Sequence, residues 1–196
     1  MFTACCPLIL ASASPRRKEY LAQLGLKYQI IPASIDETPE AGELPQHFSR
    51  RMAASKAKQV ADDHPDSCVI AADTVVALDH HIFGKPRDKR EALTMLMSLQ
   101  GRTHAVTTGF AILSKNRNIE EVASVTTEVT FGLFAEAVLQ VYVNSGDPMD
   151  KAGAYGIQGA GSFLVHSVTG SCSNVAGLPI HAVVQSLLRH GLLNIC

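Results

Sequence analysis

The sequence has no tryptophan, 6% aromatic residues and almost no net charge, with 17 Lys and Arg against 18 Asp and Glu. Nucleic-acid backbones are bound through clustered basic residues, and single strands also through stacked aromatic side chains, so no nucleic-acid partner is expected. No apolar run approaches the roughly 20 residues that span a bilayer, so no membrane partner is expected either. The five cysteines include no Cys-x-x-Cys pair. This spacing argues against a zinc or disulfide framework, and free thiols fit a cytoplasmic location.

Local patterns predict alternating strands and helices in one domain over residues 1–196. Residues 69–78 are almost continuously apolar, which is typical of a strand covered on both faces. Two β-rich stretches flank residues 115–118 and predict a long β-hairpin. Further strands are predicted at 8–11, 28–31 and 162–168, and helices at 14–25, 46–63, 88–101, 133–143 and after residue 179. The expected fold is therefore α/β, with a mixed twisted sheet and flanking helices.

Arg16 and Arg17 lie in the first turn of the first predicted helix. The helix dipole disfavours cations there by a few tenths to about 1 kcal/mol each. A bound anion reverses this sign, because backbone N–H groups, both guanidinium groups and the hydroxyls of Ser12 and Ser14 would converge on it. The alternative is that both arginines point into water. Their position directly after a buried strand favours a phosphate site.

Asp73 interrupts the apolar strand at 69–78. A buried carboxylate carries a desolvation penalty of several kcal/mol unless it is paired or metal-bound. One alternative is a structural aspartate that holds a neighbouring turn. A metal ligand or a general base explains the position better, because the first stabilises the charge and the second exploits a raised pKa.

Other features are weak signals when taken singly. Lys56 falls on the apolar face of the second predicted helix, where lysines commonly extend to the edge of a core. Lys85 lies between Gly84 and Pro86, and the alternative to a ligand-binding role is that it is an ordinary lysine in a turn. The glycine-rich residues 146–161 predict a long functional loop, in which Gln158 offers a donor and an acceptor to a base edge.

The combined set is that of phosphate chemistry. Four basic side chains would neutralise a polyphosphate: Arg16, Arg17, Lys56 and Lys85. Asp73 and Glu37 would hold a cation. The P-loop motif GxxxxGK[ST] is absent, so a P-loop enzyme is not predicted. His104 and His181 are left out of the predicted site, because a lone histidine beside a strand or helix is more often structural.

Ordered sequence blocks occur within the stretch from about residue 8 to residue 188. They are Leu-Ala-Ser-Ala-Ser-Pro-Arg-Arg at 10–17, Ala-Ala-Asp-Thr-Val-Val at 71–76, Gly-Lys-Pro-Arg-Asp at 84–88, Gly-Arg-Thr-His-Ala-Val-Thr-Thr-Gly at 101–109 and Gly-Asp-Pro-Met-Asp-Lys-Ala-Gly-Ala-Tyr-Gly-Ile-Gln-Gly at 146–159. Asn174-Val175 and Gly177-Leu178-Pro179 complete the series. The series resembles the Maf family (septum-formation-protein homologues) of nucleoside triphosphate pyrophosphatases. One small departure is Asp147, where glutamate is more usual.

The resemblance implies a fold like that of inosine triphosphate pyrophosphatases, with two lobes around a cleft, and often a homodimer. It implies hydrolysis of a nucleoside triphosphate to the monophosphate and pyrophosphate with Mg²⁺ or Mn²⁺. By resemblance, Asp73 is the catalytic acidic residue, Glu37 a further acidic residue, and the four basic side chains handle phosphate. Arg16, Thr74 and Gln158 match positions tied to substrate choice. The block at 151–159 resembles the branch of the family that prefers dTTP and UTP, as opposed to the branch that acts on methylated GTP.

Two roles for Asp73 stay open at this point: it binds the metal, or it deprotonates the water that attacks the α-phosphorus. Two other functions also stay open. A nucleotide-binding regulator of cell division would need the basic cluster but no turnover. A nucleic-acid-binding protein is disfavoured by the composition.

Overall fold

The computed structural model describes residues 2–79 and 81–195, and within them the chain forms nine strands and six α-helices. The strands are β1 (Phe2–Ala4), β2 (Leu8–Leu10), β3 (Gln29–Ile30), β4 (Cys68–Leu78), β5 (His81–Phe83), β6 (Thr103–Ser114), β7 (Ile119–Phe131), β8 (Val165–Thr169) and β9 (Leu193–Ile195). The helices are α1 (Pro15–Gln23), α2 (Pro45–Asp63), α3 (Lys89–Leu99), α4 (Glu136–Asn144), α5 (Cys172–Val175) and α6 (Ile180–Arg189).

Seven of these strands form one mixed sheet in the order β3-β2-β4-β6-β7-β8, with β5 paired to β4. Strand β2 is parallel to both β3 and β4, with Ile9 opposite Gln29 on one side and Val69 on the other. Strands β5 and β8 are antiparallel to β4 and β7. Neighbouring strands β6 and β7 are joined by a short turn at Lys115–Arg117. The mixed α/β sheet and the long hairpin predicted from the sequence are confirmed.

The chain divides into two compact units, whose boundaries fall inside β4, β6 and β7 or between α5 and α6. The first unit comprises the described residues of Met1–Asp73, Thr108–Val125 and Gly177–Cys196. The second unit comprises the described residues of Thr74–Thr107 and Thr126–Ala176.

The first unit packs apolar side chains on both faces of its strands. Leu8 and Leu10 of β2 contribute to one buried cluster, whereas Ile9 contributes to another. This alternation follows from the two-residue period of a strand. The first cluster includes side chains from α1 and α6, namely Leu21, Val183 and Leu187. The second includes alanines of α2, namely Ala53, Ala57 and Ala61.

Helix α2 lies very close to β6 at Gly109. A Cβ added to this glycine would overlap the backbone of Ser49, which is fully buried on α2. The inward face of α2 is rich in alanine, so small residues on both elements permit the close approach. The position of α2, and of every side chain that it carries, therefore depends on a glycine at 109.

The second unit has its own core between α3, α4 and its strand segments. Leu96 and Leu99 of α3 and Leu139 of α4 are fully buried in one cluster with Phe131 of β7. Helix α3 begins as predicted, because the Asp88 side chain accepts a hydrogen bond from the backbone N–H of Glu91 at 2.8 Å.

Two elements begin three residues later in the structure than the sequence predicted. Residues 160–164 form a 3-10 turn, so the strand predicted at 162–168 is β8, Val165–Thr169. Gly161 in this turn packs closely against α4, since a Cβ there would overlap the Tyr142 hydroxyl. The helix predicted at 133–143 is α4, which begins at Glu136 because Ala135 before it is extended.

Two smaller expectations concern membranes and thiols. Across residues 2–79 and 81–195 no helix combines the length and the apolar character needed to cross a membrane. Cys5, Cys6, Cys68 and Cys172 are free thiols, as expected, and Cys196 lies outside the described residues.

Gly109→Ala should lower the free energy of unfolding by about 3 kcal/mol, because the added methyl group has no space against the α2 backbone. Gly84→Ala is the matched control, since a Cβ at Gly84 meets nothing within 4 Å. Its effect should stay below about 1 kcal/mol. Urea unfolding followed by circular dichroism measures both variants, and equal stabilities would contradict this account of the packing.

Candidate active site

The first unit holds an ion triad of Lys56, Asp73 and Glu37. Lys56 and Asp73 are each only 8% exposed, and Lys56 Nζ lies 2.7 Å from Asp73 Oδ1. The same Nζ lies 2.6 Å from Oε1 of Glu37, whose side chain is 51% exposed. One ammonium group is therefore shared between a buried carboxylate and a solvent-facing one.

Strand and helix periodicity account for the buried pair. Asp73 is two and four residues beyond Ala71 and Val69, which both face α2, so its side chain is directed to that same face. Lys56 lies one helical turn from both Met52 and Val60, which are buried on α2. The ammonium offsets the desolvation penalty that Asp73 alone would carry, which is several kcal/mol.

The start of α1 carries the second group of predicted residues. Arg17 donates from Nε to the carbonyl of Gly177 at 2.7 Å and from Nη1 to Ser12 Oγ at 3.1 Å. The backbone N–H of Ser14 donates to the same Ser12 oxygen at 3.2 Å. The Ser14 side chain makes no capping hydrogen bond, and the first turn of α1 contains no acidic residue. The first turn therefore keeps the polarity that favours an anion.

The two groups are electrostatically connected through Arg17. Burial lowers the pKa of the Arg17 guanidinium below its ordinary value; Asp73 acts against this shift, Arg16 adds to it, and Glu37 again acts against it. Arg17 thus lies within electrostatic reach of the two carboxylates that Lys56 pairs with, and Arg16 directly precedes it on α1. Together with Arg16, these groups make three cations against two carboxylates, and the surplus of one positive charge suits an anionic ligand.

Lys85, Thr74 and Gln158 belong to the second unit. Lys85 is exposed, whereas Thr74 and Gln158 are partly buried. The carbonyl of Gly84 accepts a hydrogen bond from the backbone N–H of Gly153 at 3.1 Å. This bond brings the Gly-Lys-Pro turn next to the glycine-rich loop at 146–161, two segments that the sequence alone did not connect.

A buried lysine that sequence reasoning missed holds the glycine-rich loop. Lys151 Nζ bonds to Asp150 Oδ1 at 2.7 Å, to Asp147 Oδ1 at 3.2 Å and to the Asp147 carbonyl. Asp147 also accepts a hydrogen bond from the Tyr142 hydroxyl at 2.8 Å. The shorter aspartate at 147 therefore makes a complete set of contacts. The aspartate at 147, where glutamate is more usual in the Maf family, was the signal in the sequence that pointed to this contact.

His104 holds the same loop from the sheet. Its Nε2 lies 2.8 Å from the Tyr155 hydroxyl, and its ring packs edge-on against Phe131 and Tyr155. The side chain is 2% exposed, and its Nδ1 has no hydrogen-bond partner. Burial lowers the pKa of His104 to about 4. The neutral histidine therefore anchors the loop through Tyr155.

Sequence comparison identifies the family. The model of a family described as Maf-like protein matches residues 7–190. The chain belongs to this family. It is 50% identical to the dTTP/UTP pyrophosphatase of Desulfotalea psychrophila over 195 residues, which cover 100% of both chains. It is 52% identical to the dTTP/UTP pyrophosphatase of Myxococcus xanthus over 185 residues, 94% of this chain and 93% of the relative. The Maf resemblance drawn from the motifs is confirmed.

Structural comparison supports the fold. The Ham1 protein of Staphylococcus aureus matches this Maf-like chain with a TM-score of 0.55, covering 94% of this chain and 99% of Ham1. Sequence identity is 13%, so this likeness concerns the fold alone. The predicted Maf/Ham1 type of α/β fold is confirmed.

The residues present fit the divalent metal that Maf resemblance implies. Asp73 and Glu37 supply carboxylate oxygens, the ligand type that Mg²⁺ and Mn²⁺ prefer. No group of three or more His, Cys, Asp or Glu residues arranged for a metal occurs in the described part of the chain. Two carboxylates suit Mg²⁺, which commonly takes its other ligands from water and substrate phosphates.

Stability should fall in acid because of His104. Its ordinary pKa is 6.5 and its folded-state pKa is about 4, so between these values the unfolded chain binds a proton that the folded chain does not. The free energy of unfolding should therefore decrease as the pH falls from about 6.5 to about 4, by up to about 1.4 kcal/mol per pH unit.

Urea unfolding from pH 8 to pH 4 tests this slope in the wild type and in His104→Gln, which retains a hydrogen-bonding side chain but does not titrate. The variant should lose this part of the pH dependence. His166→Gln is the matched control, because His166 is an exposed histidine on β8, and it should follow the wild type. Parallel curves for all three proteins would contradict the assignment.

Proposed function

We propose that this chain hydrolyses nucleoside triphosphates to the monophosphate and pyrophosphate, with dTTP and UTP as preferred substrates. The observation that carries the proposal is the buried Asp73 paired with Lys56 at 2.7 Å, in electrostatic contact with Arg17. The names of relatives at 50% and 52% identity, dTTP/UTP pyrophosphatase, support the substrate class.

The start of α1 is the proposed phosphate-binding element. Arg16 and Arg17 supply guanidinium groups, and the backbone N–H groups of the first turn supply further donors. Arg17 is held in place by Gly177 and Ser12, so little side-chain entropy is lost when it binds a phosphate. Lys56 adds a third positive charge. In phosphoryl transfer, positioning and charge stabilisation of this kind supply most of the catalysis.

In the proposed reaction a water oxygen attacks the α-phosphorus. A bond forms between this oxygen and the α-phosphorus, and the bond from the α-phosphorus to the oxygen bridging it to the β-phosphorus breaks. Asp73 accepts the proton of the attacking water or holds the metal; both roles use a carboxylate kept away from solvent. Arg16, Arg17 and Lys56 stabilise the negative charge that develops on the phosphates.

A divalent cation, Mg²⁺ or Mn²⁺, is proposed as cofactor. Asp73 and Glu37 are the residues that would hold it. When bound, such a cation neutralises phosphate charge and polarises the phosphoryl group.

Substrate choice is assigned to the second unit and to Arg16. Gln158, partly buried in the glycine-rich loop, is proposed to read the base edge, and Thr74 to assist it. Lys85, on the turn that Gly153 bonds to, is proposed to neutralise a phosphate. Four further statements also stay predictions. The protein is a homodimer, it has a single domain, it is located in the cytoplasm, and it has no nucleic-acid or membrane partner.

Asp73→Asn should lower pyrophosphate release from dTTP at least about 100-fold, because loss of a general base or of a metal ligand has an effect of that size. The asparagine oxygen still accepts a hydrogen bond from Lys56, so the variant should fold. A coupled assay for pyrophosphate with Mg²⁺, Mn²⁺ or EDTA measures the rates over a panel of standard and modified nucleoside triphosphates.

Glu120→Gln is the matched control, because it removes an exposed carboxylate from β7 and should leave the rate unchanged. Full activity in Asp73→Asn would overturn the role of Asp73. Tight nucleotide binding without any pyrophosphate release by the wild type would favour the nucleotide-binding regulator instead.

Gln158→Ala should reduce kcat/KM for dTTP about tenfold, the equivalent of one hydrogen bond of about 1.4 kcal/mol. The ratio of kcat/KM for dTTP to that for dCTP should fall with it. Gln140→Ala removes a glutamine from α4 of the same unit and should change neither value. An unchanged dTTP to dCTP ratio in Gln158→Ala would show that another residue reads the base.

A further inference from the structure

The position of Lys56 has a consequence for metal binding. Its ammonium group lies 2.7 Å from Asp73 Oδ1 and 2.6 Å from Glu37 Oε1. These are the two carboxylates that would hold a divalent cation, and the ammonium group already pairs with both and offsets one of their two negative charges. A metal ion and Lys56 therefore compete for the same negative charge.

Moving Lys56 away from the carboxylates costs free energy unless another anionic group pairs with its ammonium group. Lys56 is 8% exposed, and a buried ammonium group without an anionic partner is strongly disfavoured. Met52 and Val60 are buried one turn before and after it, so the base of the side chain lies on the packed face of α2. Only the flexible end of the lysine is then free to move toward a new partner. For these reasons a divalent cation alone should bind weakly.

A nucleoside triphosphate removes this cost, because its phosphate oxygens offer the displaced ammonium group a new anionic partner. Metal ion and nucleotide would then each increase the affinity of the protein for the other, and by the same factor, since equilibrium coupling is reciprocal. Lys56 would be the group that transmits this coupling.

We propose that Lys56 is the resident counter-ion of the Asp73 and Glu37 carboxylates and transfers to substrate phosphate when the metal binds, so that metal and nucleotide binding are cooperative. The proposal rests on the function proposed above and adds that the metal and the nucleotide bind to the site cooperatively. The protein without nucleotide keeps a monovalent side chain where a divalent ion would otherwise bind, which limits non-productive metal binding.

Binding of Mn²⁺ alone tests the proposal without any turnover. The electron paramagnetic resonance signal of free Mn²⁺ is measured as protein is added, for the wild type and for Lys56→Gln. The variant should bind Mn²⁺ about tenfold more tightly, because the competing charge is gone. Lys58→Gln is the matched control, since it removes an exposed lysine two residues further along the same helix, and its affinity should stay within about twofold of the wild type.

The same titration is repeated with the dTTP analogue that carries a methylene group between the α- and β-phosphorus atoms. The analogue should tighten Mn²⁺ binding to the wild type about tenfold or more and should tighten binding to Lys56→Gln much less. Equal or weaker Mn²⁺ affinity in Lys56→Gln without nucleotide would overturn the proposal. Pyrophosphate release by the wild type would meanwhile test the proposed function separately.

A crystal structure of the wild type with Mn²⁺ and this analogue is a second test that does not depend on a variant folding. Lys56 Nζ should lie within hydrogen-bonding distance of a phosphate oxygen and no longer bond to both Asp73 and Glu37. A bound metal with the lysine still on both carboxylates would exclude the exchange.

Discussion

The buried ion pair of Lys56 and Asp73 is the constraint on which the rest of the first unit depends. A carboxylate inside an apolar strand costs several kcal/mol unless a cation reaches it. Lys56 reaches Asp73 only because α2 lies close to the sheet. That approach in turn requires Gly109, opposite the α2 backbone at Ser49. Gly109 in one motif thus allows the pairing of Asp73 in another, and both motifs are among those shared with the Maf family.

In the proposed site the charge is distributed over several groups. Arg17 is oriented by a carbonyl and a hydroxyl, and Asp73 and Glu37 oppose the lowering of its pKa by burial. The surplus of positive charge favours a polyanion, whereas the carboxylates favour a metal. A nucleoside triphosphate in complex with a divalent cation satisfies both preferences. In our proposal Lys56 connects these preferences, because its ammonium group pairs with both carboxylates and its side chain is flexible enough to leave them.

Local sequence predicted most elements but few of the contacts between them. Strand β4 and helix α3 were predictable from an apolar run and a capping aspartate, which are signals within a few residues. The pairing of β1 with β9 joins opposite ends of the described chain and has no such signal. The same holds for Arg17 and Gly177, 160 residues apart. Asp73 was recognisable as an anomaly, but its partner Lys56 was indistinguishable from a lysine at the edge of the core.

The position of bond cleavage tests the central claim most directly. Hydrolysis of dTTP in water enriched in ¹⁸O, followed by mass spectrometry of the products, identifies the phosphorus atom that is attacked. The account predicts dTMP and pyrophosphate, with the heavy oxygen in dTMP alone. Label in pyrophosphate would place the attack on the β-phosphorus, and release of dTDP with inorganic phosphate would contradict the proposed reaction altogether.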